Sequence, residues 1–255
     1  MQSTYDLKGK TALVTGASGG LGAGFAHALA ESGASVILVG RRQEPLDRLA
    51  REIEQNGGIA MVVTMDVSDE ASVRAGFDAI RQAGVLADVV ICNAGVAVTR
   101  AALDISQEDW SRVIGTNLTG CWLVAREAAH RLIDSGKPGS IINITSILGH
   151  RVAGAVMPYA VAKAGLEQMT RCLALEWARY KIRVNALAPG YVSTPLNEAF
   201  FETEAGKAML RRIPMRRLGL THDLRAPLLL LASDDSAFMT GSTLVVDGGH
   251  LQSSL

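Results

Sequence analysis

A doubly wound α/β sandwich, with a seven-stranded parallel sheet and helices on both faces, is predicted by three observations. Short β-branched runs alternate with helical patterns along the chain, several of those runs are apolar throughout, and the segments between them are long enough for crossover helices. Residues 11–15, 35–39, 60–65, 88–92, 140–145, 182–188 and 243–247 read as strands. Runs such as Val36-Ile37-Leu38-Val39 and Val89-Val90-Ile91 suit strands covered on both faces, and repeated strand–helix–strand units imply right-handed crossovers. Helices are expected over 20–32, 43–56, 69–83, 106–136 (as two), 158–180 and 221–232. The stretch 191–220 breaks the alternation and carries Pro195 and Pro214. It reads as a substrate-loop insertion in a single domain spanning 1–255.

Composition narrows the function classes. The chain has 255 residues, 48% of them hydrophobic, and Lys plus Arg balances Asp plus Glu at 25 each. That balance offers no electrostatic footprint for nucleic acid or an anionic membrane. The start, Met1-Gln2-Ser3-Thr4-Tyr5-Asp6, lacks the layout of a signal peptide, and the apolar runs are too short to span a bilayer. A soluble, cytoplasmic protein is expected. Cys92, Cys121 and Cys172 form no Cys-x-x-Cys pair, and the five histidines show no metal-ligand array, so no metal site is expected.

Directly after the first strand comes Thr15-Gly16-Ala17-Ser18-Gly19-Gly20-Leu21-Gly22, opening into a helix. Glycines there permit a tight turn and let a pyrophosphate approach the backbone, while the helix N-terminus offers free N–H donors and positive dipole. The predicted site for a dinucleotide's phosphates is therefore Gly16, Ser18, Gly20, Leu21 and Gly22. The second strand ends Val39-Gly40-Arg41-Arg42, with no carboxylate to bond an adenosine ribose. Arg41, with Arg42 beside it, can offer a planar fork to a 2′-phosphate, which favours NADP(H) over NAD(H). The alternative is that both arginines begin a solvated helix and pair with Glu44 or Asp47.

Tyr159 and Lys163 stand four residues apart, on one helical face. A free phenol loses its proton only near pH ~10, and an adjacent ammonium favours the phenolate; Lys163 is placed to supply that charge. The alternative is a surface tyrosine whose lysine snorkels into water. Ser146 follows the fifth predicted strand and so falls at the carboxyl end of the sheet, where open α/β folds bind ligands.

With these motifs the chain resembles the short-chain dehydrogenase/reductase family along essentially its whole length. The matching pieces are the glycine turn from Thr15 to Gly22, Asp66-Val67, Asn93-Ala94-Gly95, Asn117, Ser146, Tyr159 with Lys163, Pro189-Gly190 and Val246-Asp247-Gly248-Gly249. The resemblance implies a Rossmann fold and a nicotinamide-dependent oxidoreductase. It implies that Asp66 and Val67 contact adenine, that Asn93, Ala94 and Gly95 stabilise the sheet beside the cofactor, and that Pro189, Gly190, Val192 and Thr194 grip the nicotinamide carboxamide. Asn117 is similar to the family's helix-kinking asparagine, which holds a water in a proton relay. Ser146 and Tyr159 then hydrogen-bond a carbonyl oxygen as Tyr159 gives its proton, and Lys163 binds the nicotinamide ribose.

Apolar residues flank the catalytic pair: Ile147, Leu148, Val152, Ala153, Val156 and Met157 on one side, Tyr191, Leu196, Phe200 and Phe201 on the other. Leu148, Val152 and Tyr191, with Ser146 and Tyr159, are the expected substrate contacts, and a hydrophobic ketone or secondary alcohol would fit. His150 and Arg151 suggest an anionic substrate group instead, the alternative being that they face solvent. Within the family the resemblance is to bacterial reductases of 3-oxoacyl thioesters, sugar acids and assorted ketones, and it implies a substrate from among these. The resemblance also implies a homotetramer. A different class of reading is a cofactor-binding regulator without catalysis; the presence of Asn117, Ser146, Tyr159 and Lys163 together argues against it.

Overall fold

The computed structural model describes residues 5–193 and 201–253. Strands β1 (Thr11–Thr15), β2 (Ser35–Gly40), β3 (Ile59–Thr64), β4 (Val89–Cys92), β5 (Gly139–Ile144), β6 (Ile182–Pro189) and β7 (Thr243–Val246) form one sheet in the order β3-β2-β1-β4-β5-β6-β7. Every neighbouring pair is parallel. The order reverses between β1 and β4, and at such a switch point the loops leaving two adjacent strands diverge to opposite faces and open a crevice.

Helices α1 (Gly20–Glu31), α2 (Gln43–Gln55), α3 (Glu70–Gln82), α4 (Gln107–Ile114), α5 (Gly120–Asp134), α6 (Met157–Trp177), α7 (Glu204–Leu210) and α8 (Arg225–Ala232) surround the sheet. Alternation along each strand divides the core in two. Ala12 and Val14 of β1 pack with Phe25 and Leu29 of α1, Leu46 and Ile53 of α2, and Leu228 of α8. Leu13 faces the other way, toward Phe77 of α3, Leu123 of α5 and Leu166 of α6. Buried Leu46, Leu49, Ala50 and Ile53 of α2 show the spacing that makes one apolar face. Each such leucine contributes roughly 1.5–3 kcal/mol of burial, which is why strands apolar on both sides fit only this two-sided arrangement.

Strand and helix ends fall within a few residues of those expected. The stretch 106–136 is α4 and α5 joined through a wider turn at Gly115–Thr119. The helix expected over 221–232 begins as a short 3₁₀ turn, Thr221–Leu224, before α8. The stretch 191–220 also contains a helix that the sequence did not reveal, α7. Only Gly206 in it is buried, so it carries no apolar stripe to read; Thr203 caps it by accepting from Gly206 N at 3.1 Å. Among the described residues no helix is long and apolar enough to cross a membrane.

Candidate active site

The crevice begins at the glycine turn. Gly16 has a left-handed φ of +67°, and a Cβ there would stand 2.9 Å from Ala94 Cα. A Cβ on Gly22 would meet the Gly16 carbonyl oxygen at 2.2 Å. Only hydrogen fits at either position, and the turn stays open over the first N–H groups of α1. Ser18 is half-buried and Gly20 exposed on the turn, while Leu21 packs back on the core.

The β4 end is stapled to the β1 end by one threonine and one asparagine. The buried Thr15 hydroxyl donates to Ile91 O at 3.2 Å and accepts from Asn93 N at 2.9 Å and Ala94 N at 3.0 Å. Asn93 Nδ2 donates to Thr15 O at 2.9 Å. These bonds hold the carboxyl ends of β1 and β4 together.

Arg41, exposed at the end of β2, lies 4.0 Å from Asp66 beyond β3. Neither alternative partner engages it, since Glu44 pairs with Arg48 and Asp47 accepts from Gln43. Arg42 is the N-cap residue of α2, with no side-chain capping bond. Hydrogen bonds from Ser68 hold the Asp66 carboxyl below its usual range; Arg41 adds to this and partial burial opposes it. Val67 is buried against the start of α5, where a Cβ on Gly120 would meet it at 2.9 Å.

Asn117 lies in the wide turn Gly115–Thr119, where the Gly120 N–H reaches back five residues to the Gly115 carbonyl. The inserted residue displaces one backbone bond and lets the side chain turn inward, a geometry that recurs at functional sites. Asn117 is fully buried and clasps Val96, accepting from its N–H at 2.8 Å and donating to its carbonyl at 2.9 Å. Gly95 packs beside it, with room for a Cβ no nearer than 3.5 Å.

Ser146 follows β5 in extended conformation and is buried, its Oγ accepting from Leu148 N at 3.1 Å. Its own proton is left to donate elsewhere. Tyr159, half-buried near the start of α6, packs on Val98, Val113 and Ala162. Lys163 does not snorkel into water: it is 3% exposed. Its Nζ donates to Ile144 O at 2.6 Å and lies 5.5 Å from the Tyr159 ring centroid. The loop after Ser146 leans on the same lysine, because a Cβ on Gly149 would come within 3.1 Å of the Lys163 carbonyl.

On the far side, Gly190 N donates to Val246 O at 2.9 Å, and a Cβ there would stand 2.7 Å from Asp247 Cα. Pro189 ends β6. Buried Val192 bridges to Gly219, closing the root of the 191–220 stretch. Tyr191 is half-buried, its ring edge on Phe201 at 5.9 Å and tilted over His250 at 5.6 Å. Burial pushes its phenol pKa up, with a smaller contribution from Tyr159. Leu148 is half-buried, while Val152 is 88% exposed on the rim. Thr194, Leu196 and Phe200 lie outside the described residues.

Two partners were not foreseen. His150 Nε2 stands 2.7 Å from Glu167 Oε1 of α6. Arg151 Nη1 donates to His250 O at 2.6 Å and Ser253 Oγ at 2.9 Å, strapping the C-terminal segment to the rim. No spacing could have paired positions a hundred residues apart. No three His, Cys, Asp or Glu side chains among the described residues are grouped to hold a metal ion. A separate cavity of about 430 Å³, lined by Phe77, Ile80 and Arg131, opens beside the loop that leads into β4, at the opposite end of the sheet from these residues.

Comparison with known proteins agrees with this geometry. A family model described as enoyl-(acyl carrier protein) reductase matches residues 16–250. The chain is 43% identical to 3beta-hydroxysteroid dehydrogenase 1 of Eggerthella lenta over 248 residues, 96% of this chain and 94% of that one. A short-chain type dehydrogenase/reductase from Mycobacterium marinum superposes with a TM-score of 0.91 at 38% identity, covering 96% of both chains. A gluconate 5-dehydrogenase from Burkholderia cenocepacia J2315, in complex with NADP and tartrate, gives 0.94 at 34% identity and 98% coverage of both.

Proposed function

The chain belongs to the short-chain dehydrogenase/reductase family, oxidoreductases acting on CH–OH groups, and from that premise we propose an NADP(H)-dependent carbonyl reductase and secondary-alcohol dehydrogenase for an uncharged, hydrophobic ketone/alcohol pair. The observation that carries this reading is the buried Lys163, tied to Ile144 O and set under Tyr159, at the same end of the sheet as the glycine cradle.

Bound NADP(H) supplies the hydride and takes it back in the reverse direction. The Ser146 hydroxyl, whose oxygen accepts from Leu148 N, keeps its one proton to donate to the substrate oxygen. Tyr159 donates to the same oxygen and transfers its proton as negative charge develops there. Lys163 spends one of its three donors on Ile144 O; the others serve Tyr159 and the nicotinamide ribose. Asn117 keeps the wide turn open for a water that refills the proton. Gly16, Ser18, Gly20, Leu21 and Gly22 carry the pyrophosphate, Asp66 and Val67 the adenine, and Asn93, Ala94 and Gly95 line the cofactor. Pro189, Gly190, Val192 and Thr194 hold the carboxamide, and Arg41, with Arg42 beside it, meets the 2′-phosphate. One domain with 191–220 as its substrate loop, assembled as a homotetramer, completes the reading.

Neutral substrate follows from how the rim's positive groups are used. Arg100 is 3.0 Å from Asp109, His150 is paired with Glu167, and Arg151 is bonded to the C-terminal segment. What the rim presents is Leu148, Val152 and Tyr191, which suit an apolar, cyclic alcohol such as the steroid named for the Eggerthella relative. A 3-oxoacyl thioester or keto sugar acid is the second reading, the latter supported by the likeness to the Burkholderia gluconate 5-dehydrogenase.

Initial rates of NADPH and NADH oxidation with steroid and aryl ketones, keto sugar acids and acetoacetyl thioesters test this, with Tyr159→Phe as blank. Turnover is expected with NADPH and an apolar ketone and is expected to vanish in the blank. Preference for keto sugar acids would move the assignment to the second reading.

A further inference from the structure

The proton-transfer sequence leaves a buried carboxyl side chain beside the site unused. Glu167 lies on α6 one turn beyond Lys163 and therefore on the same helical face. It is 3% exposed. A carboxylate removed from water costs free energy unless its partners compensate, and such a pair is seldom retained for stability alone. Burial pushes the Glu167 carboxyl pKa up, opposed first by His150 and then by the neighbouring Thr145 and Arg171.

The positions of those partners give the group a use. Thr145 immediately precedes Ser146, and His150 closes the short turn Ile147–Gly149 that follows it. Glu167 thus holds the chain just beyond Ser146, with its Oε1 2.7 Å from His150 Nε2, while just before Ser146 the Thr145 hydroxyl donates to Leu187 O at 3.3 Å and ties the loop to the sheet. The loop between them is pressed on the backbone of Lys163 and Ala164 at Gly149. Ser146 itself has only a local hydrogen bond to Leu148 N, which fixes its rotamer but not its distance from α6.

We infer that Glu167, with His150, is a positioning residue that sets Ser146 Oγ against Tyr159 by bracing the Ser146 loop on the helix that carries the tyrosine. This rests on the proposed role of Ser146. The brace spans two elements, and a displacement of about 1 Å at a reacting group is enough to cost up to ~10²-fold in rate.

A double-mutant cycle tests it, using turnover of the intact enzyme with NADPH and its best ketone. Glu167→Gln removes the charge at constant shape and is expected to lower kcat about tenfold. The KM for NADPH should stay within twofold and the Tm within about 2 °C of the parent or above it, because a desolvated charge has been removed. Ser146→Ala alone is expected to cost about 10²-fold. In that background Glu167→Gln should cost less than twofold, since the group it positions is gone. His150→Gln, at a partly exposed side chain, is expected to lower kcat about threefold, again only when Ser146 is present.

Equal losses with and without Ser146 would overturn the inference and leave the Ser146 assignment standing. Parental kcat in Glu167→Gln would overturn it as well. Parental kcat in Ser146→Ala would remove the Ser146 assignment and the inference with it.

Discussion

On the floor of the site, Asn117, Ser146 and Lys163 are buried, and each is bonded to main chain, of Val96, Leu148 and Ile144 in turn. On the rim, Val152 stands in solvent, Arg41 reaches out from β2, and the 191–220 stretch is rooted by loop contacts, among them the Val192–Gly219 bridge and Met215 N donating to Gly248 O at 3.1 Å. The floor's positions are set by the sheet, whose strands cannot shift without breaking a two-sided core. The rim's described contacts join loops rather than strands of the sheet. A scaffold of this kind keeps one proton-transfer geometry while allowing the ligand-selecting residues to change, because loops tolerate substitution that buried elements do not.

The contrast is broken most directly at Tyr159. Tyr159→Phe removes one oxygen from a side chain packed on Val98, Val113 and Ala162. Turnover is expected to fall by about 10³-fold or more, with NADPH binding by fluorescence titration and the melting curve near those of the parent. Substantial residual turnover would mean that the floor does not carry the proton.

Arg41→Ala is the next largest effect, and it falls on binding alone. Loss of a charge-assisted contact to the 2′-phosphate is expected to raise the NADPH Kd about tenfold or more, leaving NADH within twofold. Equal weakening of both cofactors would place the phosphate elsewhere. On the substrate side, Val152→Glu should leave stability within about 0.5 kcal/mol and raise the KM for an apolar ketone several-fold, with the KM for NADPH unchanged. An unaltered ketone KM would remove Val152 from the pocket.

The smallest effect concerns the root of the loop. Arg217 forks onto Asp223 with contacts of 2.6 and 2.9 Å, and Leu220 N donates to Asp223 at 2.7 Å. The Arg217 hydrogen bonds, then that of Leu220, hold the Asp223 carboxyl at a pKa of about 2, down from 3.8. A lowered carboxylate pKa stabilises the fold above the unfolded value and ceases to do so as pH falls through the folded one. Asp223→Asn is therefore expected to cost about 1 kcal/mol at pH 7, after allowance for solvent screening. The gap between the two melting temperatures should narrow as pH drops from 4 toward 2. A gap independent of pH would assign the cost to packing.

Much of the site was legible in sequence because it depends on local order. Strand, glycine turn and helix follow one another from Thr11 to Glu31, and Tyr159 and Lys163 share a helix. Ser146 could be placed at the carboxyl end because β5 directly precedes it. The parts that could not be read join separate segments: Glu167 to His150, and Arg151 to His250 and Ser253. Sequence position left His150 and Arg151 to meet an anionic group or solvent, and the fold engages both within the chain.

By itself, then, the sequence determined the doubly wound sheet, the glycine turn and the order in which Asn117, Ser146, Tyr159 and Lys163 are offered to the proposed site, since periodicity and short spacing are properties of neighbouring residues. Only tertiary structure decided that Lys163 is buried on Ile144 O rather than solvated, that Asn117 turns inward through a widened helical turn, and that a carboxylate braces the Ser146 loop. Those outcomes depend on which surfaces the folded sheet brings together, and desolvation and pairing energies arise only once they meet.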